Sequence, residues 1–160
     1  MYKRQVLACA PWVLAGALAT GGGTATAASA AAFAPRAEQY VGTLGALVGL
    51  GGIWNGAAVP ASREVGFALF GIPLFVLLGL GWRAVPRRWL ALAAAGFAVA
   101  LASWAGLTEP MVTHVPGGGL LRDAQKWLVL AIPAFVAAAG ALTPRRAAAA
   151  LACALLQVPD

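Results

Sequence analysis

The sequence predicts an all-α fold, a polytopic transmembrane helical bundle, and three observations carry that prediction. First, 61% of residues are hydrophobic and 10% are charged, against about a quarter charged in a soluble globular domain. The apolar residues run in long blocks and the charges fall in short gaps, as in multi-pass membrane proteins. Second, a pattern recurs some sixty residues apart. It runs Arg63-Glu64, Ile72-Pro73-Leu74-Phe75-Val76, Pro86-Arg87-Arg88, and then Arg122-Asp123, Ile132-Pro133-Ala134-Phe135-Val136, Pro144-Arg145-Arg146. Two of the three isoleucines fall in it, so an Ala/Gly-rich composition explains it poorly. Third, Trp54, Trp82, Trp89 and Trp127 fall at block ends, where an aromatic belt places them. Repeats fix architecture. Each copy here reads as a helix entering from an external loop and ending at a basic turn, giving two tandem helical hairpins.

Taken in order, Tyr2-Lys3-Arg4-Gln5 reads as a translated transposon-type sequencing adaptor. Residues 1–5 are therefore set apart as an artefact, and 6–160 is read as a single membrane domain from a longer chain. Residues 6–23 suit a short span. Residues 41–54 are short, a length that favours a re-entrant or interfacial segment over a full crossing. Gly42, Gly45, Gly49, Gly51 and Gly52 make that stretch a weak isolated helix that packs closely on others through Gly45-x-x-x-Gly49. Two placements stay open: either 41–54 crosses, putting Arg36 and Glu38 inside, or it dips into the outer leaflet within one long external loop, which the glycines favour.

Further spans are expected at 65–82, 89–107 and 127–143, and 147–160 begins an incomplete one. Pro73 and Pro133 should kink their helices. The plainer reading is a packing kink; the sharper one is a shared cavity opening outward. Basic turns 83–88 and 144–146 belong on the cytoplasmic side, and loops 55–64 and 108–126 on the extracytoplasmic side, of a cell membrane.

The net charge of +6 forms no single patch and no basic helix face, so nucleic acid is not an expected partner. The expected partners are the bilayer and the remainder of the chain. Cys9 and Cys153 are lone thiols without ligand spacing. The spans contain no Asp, Glu, Lys, Arg or His, which argues against a proton-coupled transporter core.

The segment 108–127 carries Glu109, His114, Gly117-Gly118-Gly119, Arg122, Asp123 and Lys126. On an α-helix Arg122 and Lys126 share a face at i, i+4. They suit the phosphate of a lipid-linked donor or an anionic headgroup, or, more plainly, form a snorkelling collar. Arg63 is their counterpart before the first copy, and Glu64, Glu109 and Asp123 are the candidate external acids. One His with one Glu makes no metal site, and no nucleotide or hydrolase fingerprint is present. No catalytic residue, metal or cofactor is assigned.

Two stretches carry a resemblance: Leu50-Gly51-Gly52-Ile53-Trp54-Asn55 with Val59-Pro60-Ala61-Ser62-Arg63, and Pro116-Gly117-Gly118-Gly119-Leu120-Leu121-Arg122-Asp123-Ala124-Gln125-Lys126-Trp127. Over about residues 30–130 the chain resembles large, uncharacterised polytopic membrane proteins of actinobacteria. Some of these are similar to GT-C-type glycosyltransferases, which move sugars from polyprenyl-phosphate donors. The resemblance implies a cell-envelope glycosyltransferase-like fragment with a polyprenyl-phosphate lipid as partner. The acidic motif of such enzymes has no match, since Glu38 stands alone. The alternative is a non-catalytic multi-pass protein, such as a transporter subunit or an envelope assembly scaffold.

Overall fold

The computed structural model describes residues 8–11, 14–15, 25–115 and 117–160. Of the described residues 72% are helical, and none lies in a strand. No helix among them is long and apolar enough to cross a membrane. The expected span at 6–23 lies largely outside the described residues, of which 8–11 and 14–15 are helical.

Helix α1 (Ala27–Ala32) opens with a capping box: Thr26 Oγ1 accepts from the Ser29 amide and Ser29 Oγ accepts from the Thr26 amide. The two side chains satisfy donors that a helix start leaves free. Helix α2 (Gly42–Val48) has seven residues, about 10 Å of rise, so 41–54 is not one helix. Of the Gly45-x-x-x-Gly49 pair expected to pack closely, Gly49 meets another segment, while Gly45 faces Val41 of its own turn. A methyl on Gly71 would lie 2.7 Å from the Gly49 Cα, so two backbones meet there.

Helix α3 (Ala61–Glu64) is a single turn behind Pro60. A 3-10 turn (Phe67–Phe70) then leads into α4 (Gly71–Leu80). The expected helix over 65–82 is therefore broken near Gly66, whose φ of +111° disfavours any side chain. Helix α5 (Arg87–Trp104) is the longest among the described residues. Its alanines favour helix, and it ends in a Schellman turn in which Leu107 donates to Ala102 O and Gly106 to Ser103 O.

Helix α6 (Glu109–His114) follows, then 3-10 turns at Gly118–Leu121 and Ala124–Ala131, then α7 (Ile132–Gly140) and α8 (Pro144–Leu156). Pro73 and Pro133 do not kink mid-helix as expected. Each lies in the first turn of an α-helix that continues a 3-10 segment. There the missing N–H removes no α-helical bond, and the residues one turn earlier, Leu69 and Val129, belong to the 3-10 pattern of i to i+3 bonds.

The two copies of the repeated pattern pack crosswise. Helix α4 lies against α8 and α7, while α5 lies against α7 and the 3-10 segment at 124–131. One core joins Leu78, Val85, Ala134 and Ala138; the other joins Leu47, Ala100 and Leu128. Among the described residues nine of the fourteen buried apolar side chains are alanines, so helices touch closely and many large apolar side chains are left outside. Ile72, Val76, Leu80, Val129, Val136 and Leu155 are all exposed.

Candidate functional site

The polar centre of the molecule forms where three distant segments meet. Glu38 begins a tight turn in which Gly42 donates back to its carbonyl. After α2 the chain returns alongside it, with Arg36 N donating to Gly52 O at 3.1 Å. That return aims the Gly52 amide at Glu38 Oε1, 2.8 Å away. Glu38 Oε2 accepts from Arg63 Nε at 2.8 Å and Nη2 at 2.6 Å. Arg63 Nη1 donates to Gln157 Oε1 at 3.2 Å.

Both charges are buried, with side-chain exposures of 7% for Arg63 and 5% for Glu38. Burying such a pair is costly unless each lone pair and proton finds a partner. Here both carboxylate oxygens and all three guanidinium nitrogens are engaged. Gly51 makes the approach possible, because a Cβ there would collide with Arg63 Nη2 and Glu38 Oε1.

Next to it, Ser62 donates its amide (3.2 Å) and its hydroxyl to the Asp160 carboxylate. The Ser62 hydroxyl, then the Ser62 amide, hold the Asp160 carboxyl below its ordinary value. A cavity of about 220 Å³ adjoins the pair, lined by Arg36, Glu38, Gln39, Val59, Arg63 and Glu64 among others.

Arg63 takes Glu38 and not Glu64, which is exposed at the cavity wall. Consecutive helical residues point about 100° apart, so one neighbour faces in while the other faces out. In the second copy the acid pairs locally: Lys126 Nζ lies 2.6 Å from Asp123, with the Lys126 side chain 76% exposed. The expected i, i+4 face of Arg122 and Lys126 is not used. The chain bends at Arg122-Asp123 between the two 3-10 segments, and the 3-10 spacing of i and i+3 then brings Asp123 to Lys126.

Arg122 turns instead onto the Phe33 ring, 4.1 Å from its centroid, and Phe33 in turn stacks on Trp54 at 4.1 Å. Arg36 Nη1 donates to Trp54 O at 3.3 Å. Arg122 Nε and Asp123 Oδ1 are buried without a partner. Glu109 is exposed in the first turn of α6, and His114 is exposed beside Thr113 Oγ1 at 2.7 Å. No group of three or more metal-ligating side chains occurs among the described residues.

Of the sequence-predicted site residues, the structure brings Arg63 and Glu64 to one cavity. It leaves Arg122, Asp123 and Lys126 at a separate cluster and Glu109 apart from both. Glu38, Gln157 and Asp160 were missed. The two consecutive glycines before Trp54 were the available signal, since they mark a close backbone approach. Compared with known proteins, the chain matches no family model, no curated protein and no solved structure.

Proposed function

We propose that the chain is a non-catalytic, membrane-embedded helical module with two polar ends and an apolar waist. The observation that carries this reading is the placement of its large apolar side chains. Val76 is 60% exposed, Leu80 55%, Val129 60%, Val136 66% and Leu155 64%, and all lie on the helices of the two repeated units. Soluble monomers rarely show so much apolar surface together, whereas acyl chains cover it without cost.

Connectivity supports two ends. Helix α4 leads from the Arg63 cluster to the turn carrying Arg83, Arg87 and Arg88. Helix α8 leads from Arg145-Arg146 back to Gln157 and Asp160, which touch Arg63 and Ser62. The hydrogen bond from Arg36 N to Gly52 O returns 41–52 to the side it left, which supports the single external loop over a crossing. Length is supplied by adjoining segments. The 3-10 run Ala124–Ala131 continues into Ile132–Gly140, and together they rise about 29 Å, close to a hydrocarbon core of about 30 Å.

The glycosyltransferase-like alternative keeps one supporting observation. Glu64 is exposed beside the cavity that also holds Arg36, so it is a carboxylate free to meet a substrate.

The test is fractionation followed by labelling. The full chain should stay in membranes after alkaline carbonate washing. With Cys9 and Cys153 replaced by Ala, an impermeant thiol reagent applied to intact cells should label Glu64→Cys and spare Arg87→Cys. Release by carbonate, or equal labelling of both positions, overturns the proposal.

A further inference from the structure

The cavity between the two repeated units lies away from the Arg63 cluster and has the opposite character. Its volume is about 220 Å³, and its walls include Phe75, Leu78, Trp82, Val85, Phe97 and Phe135. These come from α4, α5, α7 and the turn joining α4 to α5. Phe75 sits 6.3 Å from Phe97 and 6.0 Å from Phe135, forming an aromatic wall. Water finds too few polar partners in such a space, and apolar cavities of comparable size stay dry or take an apolar guest. Drug-sized ligands need about 300–1,000 Å³, so this cavity fits part of a chain and not a whole ligand. Phe75 is 41% exposed and Trp82 55%, and exposed Val76 and Leu80 flank them on α4, so the cavity opens sideways onto the apolar surface.

One rim of this opening is cationic. The Arg83 guanidinium lies 5.9 Å from the ring of Trp82, a wall residue. Arg88 lies 5.7 Å from the ring of Trp89, which packs against the cluster of Leu78, Val85, Ala134 and Ala138 whose members also line the cavity. Arg87 and Arg88 are the first residues of α5, a helix with no acid in its first turn and no side-chain cap. The positive end of a helix dipole disfavours two arginines unless an anion neutralises them. No Asp or Glu lies between residues 65 and 108 of the sequence, so this helix and its turn supply no such anion.

We propose that this is a binding site for an anionic phospholipid of the bilayer, its phosphate held by Arg83 and Arg88 and one acyl chain lodged in the cavity. The proposal rests on the membrane reading above for its source of ligand. Arg145-Arg146 gives the contrast: the same dipeptide in the first turn of α8, with neither arginine over an aromatic ring as Arg83 and Arg88 are.

The experiment uses the full chain in phosphatidylcholine vesicles that contain phosphatidylglycerol as a minor component, with one lipid at a time brominated in its acyl chain. Trp82 fluorescence is taken as wild type minus Trp82→Phe. Two arginines at the rim predict a local enrichment of phosphatidylglycerol over phosphatidylcholine on the order of tenfold. Arg83→Gln with Arg88→Gln should abolish that preference, while Arg145→Gln with Arg146→Gln should keep it. Gly79 has nothing within 4 Å of an added Cβ, so Gly79→Leu should fold normally and, by filling the mouth, reduce quenching by either lipid.

Equal quenching by the two lipids, or equal loss in both arginine pairs, overturns the site while leaving membrane insertion intact. If the protein fails to float with vesicles, the membrane reading falls, and the site is titrated with monomeric dihexanoyl-phosphatidylglycerol. A change in Trp82 emission that Gly79→Leu removes then supports the site, and no change overturns it.

Discussion

The two copies of the repeated pattern agree in backbone and differ in chemistry. In each, a 3-10 segment becomes an α-helix at Ile-Pro, and the next helix starts at Pro-Arg-Arg. Their entry residues diverge. Arg63 is buried against a carboxylate 25 positions upstream, whereas Arg122 is stacked on Phe33 and its neighbour Asp123 pairs with exposed Lys126. The likeness is one of helical punctuation, which a few prolines, glycines and arginines suffice to write. The difference is one of surroundings: the entry arginine of the first copy is held by Glu38 of the 36–52 loop and by Gln157, and that of the second lies over the Phe33–Trp54 pair.

That contrast breaks most readily at Arg63. Removing one partner of a buried pair strands the other charge, at about 3–5 kcal/mol. Arg63→Ala should therefore lower stability by that amount in unfolding followed by circular dichroism, and adding Glu38→Gln should recover part of it. Equal effects of Arg63→Ala and Arg122→Ala would erase the distinction between the copies. The expectation for Arg122→Ala is about 1 kcal/mol, the scale of a guanidinium on a half-exposed ring. Lys126→Ala should cost no more than about 0.5 kcal/mol, as for other solvent-screened pairs.

The smallest effect concerns pH. The Asp160 carboxyl is held below its ordinary value, first by the Ser62 hydroxyl. A depressed acid stabilises the fold above its unfolded value, and that contribution is lost as pH falls through the lowered one. Carboxyl carbon shifts should show Asp160 titrating below a free aspartate, and Ser62→Ala should return it toward the ordinary value. An unchanged titration in that variant removes Ser62 as the cause.

Much of this was legible where local chemistry decides. Pro86 and Pro144 mark helix starts because proline fits the first turn, and both helices begin there. The all-helical class followed from composition and block length. What escaped was set by partners remote in sequence. Glu38 has no neighbour that announces Arg63, and Gln157 lies 94 positions away from it. Glu64 is adjacent to Arg63, and adjacency on a helix means facing elsewhere. The i, i+4 reading of Arg122 and Lys126 assumed α-helical rise, and nothing in Ala124–Ala131 announces a 3-10 run of that length.

Because Gln157 and Asp160 close onto α3, the Arg63 cluster is also a clock for the assembly of the fold. The Glu38 and Arg63 side chains can meet once a short loop between them closes. Their third partner lies 94 positions beyond Arg63, and closing so long a loop costs more entropy. Until it closes, Arg63 Nη1 lacks its amide acceptor. An assembly halted before α8 docks would expose a polar flaw at its most buried charge, where quality-control proteases find unfinished chains.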